Sequence, residues 1–431
     1  MKNSVCWILA LVLLFSMMGG GMAEEINDYA AAITLNMASE TVKTEASVKT
    51  YVDGDTTHFI VPESVMPSGV LKARYLAINT PETTGKIEEY GKKAANFTRE
   101  KLSQAVSIIL ESDDGEWNPD STSERHLVWV WYKPAEGENY RNLNIELLQN
   151  GLAIANASFQ NRYGSVCMSA ISQAKEQKLN VYSGQKDPDF YYGEAIELTL
   201  KELRTNPQEY NGKKVAFKGV ITTSYNNTVY VEDLDPETGL YFGMPVYYGY
   251  NLSGKGLDIL SVGNESRIVG TMQYYEAGAS WQVSGLTYRM MKPKDPGNIQ
   301  LLSSGHQPAF VPTEAETFAT GSVTLSTEEG PVTYAYAELA LATSVSMQGL
   351  AVKEVYTTDN ADSSSNGALT LTCEKDGATV LVRTAVLRDA DGQLVTGDAF
   401  LGKTISVKGV VDYYEGAYQI RVLTMNNITI E

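Results

Sequence analysis

Arg74-Tyr-Leu-Ala-Ile-Asn-Thr-Pro-Glu82 reads as a strand that carries an arginine, runs into a proline turn and ends on a carboxylate. Upstream, Asp53-Gly54-Asp55-Thr56 joins two strand-like segments, and taken alone it is a hairpin turn, since Asp-Gly is a favoured turn pair. Downstream, Arg125 stands just ahead of the strand-like run Leu127 to Tyr132, where Leu127, Trp129 and Trp131 alternate with Val128, Val130 and Tyr132. Working outward, strands are expected over Ser47 to Val52, Thr56 to Val61, Leu71 to Ile78 and Ser107 to Glu111. Helices are expected from Tyr90 to Ala105, from Leu143 to Gln149 before Asn150-Gly151, and from Gly164 to Leu179. These elements make residues 47–185 one mixed unit.

The rest of the chain reads as two copies of one all-β unit, residues 192–289 and 331–431. Val215-Ala-Phe-Lys-Gly-Val220 parallels Val345-Ser-Met-Gln-Gly-Leu350, and Gly270-Thr-Met-Gln-Tyr-Tyr-Glu276 parallels Gly409-Val-Val-Asp-Tyr-Tyr-Glu415. Each second motif leads into an aromatic-Gln-aliphatic strand, Trp281-Gln-Val283 and Tyr418-Gln-Ile420. Agreement at both ends of the unit marks an internal repeat. Each copy holds about five strands with Gly where a closed sheet must bend, the pattern of an OB-fold, a small five-stranded barrel. Residues 290–330, rich in Pro, Gly, Ser and Thr, read as a linker. The fold class is therefore multidomain and mainly β.

Composition narrows the function. The chain has 431 residues, 52 Asp or Glu against 34 Lys or Arg, and a formal charge of -18. That excludes a protein that coats DNA through bulk positive charge, while leaving room for a local basic site such as Arg74, Arg125, Lys72, Lys92 and Lys93. Residues 1–23 combine Lys2, an apolar run from Val5 to Met18 and a Gly19-Gly20-Gly21-Met22-Ala23 end, the pattern of a secretory signal peptide cut before Glu24. The run is short of the roughly 20 residues needed to span a bilayer. A secreted, extracellular protein is expected. Cys167 and Cys373 fall in different units, so they are expected as buried small hydrophobes. His58, His126 and His306 lack metal-ligand spacing and read as structural or exposed.

Two arginines, a glutamate and an Asp/Asn pair are the groups that metal-assisted phosphodiester hydrolysis needs. An attacked phosphodiester gains negative charge on its equatorial oxygens, and guanidinium forks can bond them bidentately. A carboxylate can orient or deprotonate the attacking water. A divalent cation on oxygen ligands neutralises the phosphate.

From about Val48 to Ser183 the chain resembles the staphylococcal-nuclease (thermonuclease) domain. The matching stretches, in order, are Val52-Asp-Gly-Asp-Thr56, Arg74 through Asn79-Thr-Pro-Glu-Thr83, Tyr90-Gly-Lys-Lys-Ala-Ala-Asn-Phe97, Arg125-His-Leu-Val-Trp129, Asn144-Ile-Glu-Leu-Leu-Gln-Asn-Gly-Leu-Ala153 and Ala174 through Asn180-Val-Tyr-Ser183. The resemblance implies an OB-like five-stranded barrel with three helices. It implies Arg74 and Arg125 as phosphate-binding catalytic arginines and Glu82 as the residue that activates the water. It implies Ca2+ held by Asp55, Asn79 and the carbonyl of Thr80, and DNA and RNA as substrates with little sequence preference.

This chain departs from the family pattern in three places. Asn79 stands where the family usually has Asp, which keeps a carbonyl ligand and loses a charge. The run before the second arginine is Ser121-Thr-Ser-Glu124, so a nearby cation and a pocket Tyr are lost and Glu124 adds negative charge. Ala157 and Phe159 stand where an aromatic pair is expected, which removes one stacking partner. These departures frame an alternative: a nucleic-acid or surface-binding protein with a degenerate nuclease domain. An adhesion or glycan-binding protein dominated by its β-units is a third reading. Tyr-rich segments such as Tyr247, Tyr248, Tyr250, Tyr274, Tyr275, Tyr413 and Tyr414 are either barrel lining or base-stacking surface.

Overall fold

The computed structural model describes residues 27–431, apart from 84, 85, 122, 123, 251, 328, 329, 361, 362 and 390 and the side chain of residue 277. The leader expected over residues 1–23 lies outside the described residues.

In the first unit the β-branched and aromatic runs form β1 (Lys43–Tyr51), β2 (Thr56–Ile60), β3 (Val70–Tyr75), β4 (Ser107–Glu111) and β5 (His126–Lys133). They close in the order β1-β2-β3-β5-β4-β1, with β3 and β5 parallel and the other pairs antiparallel. Among the described residues, three helices of seven or more residues cover the barrel, α1 (Gly91–Gln104), α2 (Leu143–Gln149) and α3 (Gly164–Glu176), and the short helix Tyr29–Ala32 adds Ala30 to the same core. Ala94, Thr98 and Leu102 recur every four residues along α1 and are its buried stripe. Asn142 caps α2 by accepting from the Ile145 amide at 3.1 Å. The alternation along β5 does not separate inside from outside: Val128, Trp129, Val130, Trp131 and Tyr132 are all buried. Both faces of this strand are covered, so period 2 carries no exposure signal there.

One strand boundary differs from the sequence reading, and it matters for the site. The expected strand over Leu71 to Ile78 stops at Tyr75, and Ala77 turns at φ 71. Ile78–Asn79 then pairs instead with Ile154–Ala155. The break swings Asn79 and Thr80 back toward the end of β3, where Arg74 sits.

The two repeats form β6 (Lys214–Tyr225), β7 (Thr228–Asp235), β8 (Leu240–Tyr247), β9 (Asn264–Tyr275) and β10 (Ser280–Ser284), then β11 (Ser344–Thr357), β12 (Leu369–Lys375), β13 (Ala378–Thr384), β14 (Thr404–Tyr414) and β15 (Ala417–Val422). Each closes in the order shown by the first unit. Three barrels of one strand order thus follow each other along the chain. The repeat motifs occupy matched registers, with Tyr274 opposite Trp281 and Tyr413 opposite Tyr418. Gly270 and Gly409 are also equivalent. A Cβ on Gly270 would meet the Ser284 carbonyl at 2.7 Å, and one on Gly409 would meet the Arg421 carbonyl at 2.5 Å. Gly409→Ala is therefore expected to cost about 1–3 kcal/mol, read as a lower midpoint in urea unfolding.

Residues 290–330, expected as a linker, hold paired and packed segments. Gln300–Ser304 pairs with β9 and Val311–Pro312 pairs with β11, so the connection is stitched to both barrels. Phe318, in the helix Ala315–Thr320, belongs to the second barrel's core. The barrels also meet directly. Buried Glu232 on β7 accepts from the Ser344 amide at 2.7 Å, the Ser344 hydroxyl at 2.8 Å and the Ala309 amide at 2.8 Å. Buried Arg204 donates to the Gly243 and Leu341 carbonyls. Cys167 and Cys373 are both free and buried, and burial pushes each thiol up to about 12.

Candidate active site

The Asp53–Thr56 turn is a hairpin connection, but it is also pinned from two sides. The Thr98 hydroxyl of α1 donates to the Gly54 carbonyl at 2.6 Å. A Cβ on Gly54 would lie 2.8 Å from the Thr80 side chain and 2.9 Å from Ala94, so only glycine lets the turn sit this close. Asp53 steadies the turn by accepting from the Asp55 amide at 3.0 Å.

This packing aims Asp55 inward. It is 1% exposed. One carboxylate oxygen accepts from the Thr80 amide at 2.7 Å, and the other takes the Thr56 hydroxyl at 3.2 Å and the Arg74 guanidinium. The second Nη of Arg74 donates to Asn79 Oδ1. Asp55, Arg74, Asn79 and Thr80 are therefore one bonded cluster, assembled from a turn, a strand end and the segment after the Ala77 break.

Glu82 and Arg125 join this cluster through charge rather than direct bonds. Glu82 is half-buried. Burial, then the neighbouring Asp53 carboxylate, push its carboxyl above the usual glutamate range, while Arg74 and Arg125 pull it back. Burial also raises Asp53, again opposed by Arg74 and Arg125. Arg74 is held below the usual arginine range chiefly by burial, with Asp53 opposing and Arg125 assisting. Four charged groups thus lie within electrostatic reach of one another.

Sequence reasoning missed Asp120. Arg125 Nε and Nη2 both donate to its Oδ2, at 2.7 and 2.6 Å. An acid five residues before an arginine was the available signal, but only the bend between them gives it meaning. Glu124, expected to burden Arg125, has its carboxylate 3.8 Å from Lys72. Of the expected basic mouth, Lys93 is drawn away to Asn180 at 2.7 Å, while Lys92 lines a cavity beside the first C-terminal barrel. Phe159 is 67% exposed and Ala157 offers no ring.

The donor set suits a hard divalent cation. Asp55 and Asn79 already point oxygens at one positive group, the guanidinium of Arg74, and every candidate ligand is an oxygen. Among the described residues no three His, Cys, Asp or Glu side chains cluster as a metal site. The residues that could hold such a cation are few: Asp55, Asn79 and the Thr80 carbonyl.

The fold is a five-stranded barrel that gathers Arg74 with Asp55, Asn79 and Thr80 at the end of β3. A family model described as "Staphylococcal nuclease homologue" matches residues 72–184, a span that includes Arg74, Asn79, Thr80, Glu82 and Arg125 and stops before either C-terminal barrel. The chain is 30% identical over 139 residues to a protein named "Thermonuclease" from Staphylococcus intermedius, a match covering 31% of this chain and 74% of that protein. This chain belongs to the staphylococcal nuclease family.

Proposed function

We propose that this protein is a secreted, calcium-dependent nuclease that hydrolyses phosphodiester bonds of DNA and RNA with little sequence preference. The observation that supports this reading is the cluster of Asp55, Arg74, Asn79 and Thr80 joined by hydrogen bonds at the end of β3, a strand paired to β5 with Arg74 opposite Leu127, two residues after Arg125.

In this reading the substrate phosphate is gripped by the two guanidinium groups. A guanidinium offers five N–H donors, and among the described residues Asp120 engages Arg125 through Nε and Nη2, a fork that can also present donors to phosphate oxygens. Glu82 accepts a proton from water. The water oxygen forms a new bond to phosphorus, one ester P–O bond breaks, and the departing oxygen takes up a proton from solvent. Calcium, held by Asp55, Asn79 and the Thr80 carbonyl, would neutralise charge on the phosphate when bound. Asn79 supplies no charge, so weak calcium binding is expected. The acidic balance of the chain makes substrate binding weak, and the arginine–phosphate contacts on which it depends make it salt-sensitive. The apolar leader read over residues 1–23 supports export.

The test is degradation of plasmid DNA and RNA by the purified chain in millimolar calcium and then in excess chelator. Cleavage of both, lost on chelation, is the expected result. Equal activity with and without metal removes the calcium mechanism, and binding without cleavage selects the degenerate-domain alternative.

A further inference from the structure

We propose that the first C-terminal barrel completes the substrate site: the rings of Tyr274 and Tyr275 stack on an unpaired base of the strand whose phosphate lies between Arg74 and Arg125. This rests on the nuclease reading above and names what the site grips besides phosphate.

The turn between β9 and β10 is seated against the nuclease unit, where Glu276 forms an ion pair with Arg99 of α1. A cavity of about 270 Å3 lies at this junction. Val52 and Thr83 line one side, and Tyr274 and Tyr275 line the other. Val52 and Thr83 are the chain neighbours of Asp53 and Glu82, so the cavity is lined by backbone that leads directly into the charge cluster. Burial, then the neighbouring Tyr250 and Tyr275 and the Glu82 carboxylate, push the phenol of Tyr247, at the end of β8, above its usual range. The ring of Tyr274 is set edge-on to Trp281 at 5.1 Å between centroids, which fixes its orientation.

Charge does not bar a nucleic acid here. Of the acids around the cavity, Glu276 is paired with Arg99, Glu88 with Lys86, and Asp187 accepts from the Tyr90 amide at 2.6 Å, leaving Asp189 exposed. A second cavity of about 650 Å3 shares Ile87, Phe190 and Tyr191 with the first and adds Tyr192, Tyr248 and Tyr288 beside Lys86 and Lys214. Rings interleaved with cations are what single-strand channels use: bases stack on the rings while cations follow the backbone. The smaller cavity takes one unstacked base and has no room for a duplex. The second barrel carries Tyr413 and Tyr414 at the same register, which makes it an internal control.

The experiment measures binding of a fluorescein-labelled single-stranded oligodeoxynucleotide in calcium by fluorescence anisotropy, using the full chain in a Glu82→Gln background. Adding Tyr275→Ala is expected to weaken binding roughly five- to hundred-fold, while Tyr275→Phe, which keeps the ring, restores it. Tyr275→Leu keeps apolar bulk without a flat face and is expected to lose affinity as Ala does, so a packing defect is distinguished from lost stacking. Tyr414→Ala in the second barrel is expected to change affinity less than about twofold. With Glu82 restored, the KM of Tyr275→Ala for a single strand is expected to rise more than its KM for a blunt duplex. Unchanged affinity in Tyr275→Ala, full affinity in Tyr275→Leu, or an equal loss in Tyr414→Ala overturns the proposal while the nuclease reading stands. Absence of cleavage by the unaltered chain together with absence of binding by Glu82→Gln overturns the nuclease reading and the proposal with it.

Discussion

Glu82→Gln is expected to slow phosphodiester cleavage by roughly 100- to 10,000-fold, the range that a positioned general base contributes, while oligonucleotide affinity stays nearly unchanged. The substitution keeps the side chain's size and removes its negative charge together with its capacity to take a proton. The unaltered enzyme should also show where that capacity begins. Burial and the charge of Asp53 lift the Glu82 carboxyl above its usual range. A protonated carboxyl cannot accept the proton of water, so the rate rises as pH rises through this lifted value. The acid limb of the pH–rate profile therefore lies above that of an unperturbed glutamate, and it is absent from the residual activity of Glu82→Gln. Stability moves the other way. A carboxyl whose folded-state value is raised adds stability that is complete below its unfolded value and is lost as pH rises through the folded one. Glu82→Gln is thus expected to melt slightly higher than the unaltered chain at neutral pH. A lower melting point, or an acid limb that survives the substitution, contradicts this role.

Arg74→Ala is expected to lower kcat by roughly 100- to 1,000-fold, because a fixed donor aimed at the developing charge is lost. Its effect on stability should be large as well. Asp55 is 1% exposed and would keep only the Thr80 amide and the Thr56 hydroxyl as partners. Removing one member of a buried ion pair typically costs about 3–5 kcal/mol. The surviving amide bond should keep the loss near the lower end of that range, read from chemical unfolding. The same substitution frees the oxygens of Asp55 and Asn79 from the guanidinium. Calcium should therefore raise the melting temperature of Arg74→Ala by more than it raises that of the unaltered chain. A smaller calcium response in the variant would show that Asp55 and Asn79 do not hold the ion.

The local pattern of this chain carried most of the architecture. The helices expected over Tyr90 to Ala105, Leu143 to Gln149 and Gly164 to Leu179 are found over 91–104, 143–149 and 164–176, legible from apolar residues at helical spacing, while the last ends three residues early at the Gln177 cap rather than at Asn180. The repeat was legible because Gly270 and Gly409 precede the same Tyr-Tyr-Glu turn, and neither position has room for a side chain. Arg74, Glu82, Arg125 and an Asp/Asn pair are nominated by residue type and order, while their roles, and the inclusion of Thr80, come from the resemblance to the staphylococcal-nuclease domain. That order is local information, and backbone sterics and side-chain periodicity act locally.

Tertiary structure decided how those candidates meet. The positive φ of Ala77 cuts the strand expected through Ile78 and returns Asn79 to Arg74, a result set by pairing with Ile154–Ala155 far along the chain. The acid that engages Arg125 is Asp120 rather than the adjacent Glu124, because the bend before β5 directs one carboxylate inward and leaves the other near Lys72. The placement of Tyr274 and Tyr275 beside the nuclease unit depends on the Arg99–Glu276 pair, whose members lie in different barrels. Electrostatic reach falls off with distance in space and not along the chain. Residue order could therefore nominate the charged groups, but only closure of the barrels brought them within reach of one another.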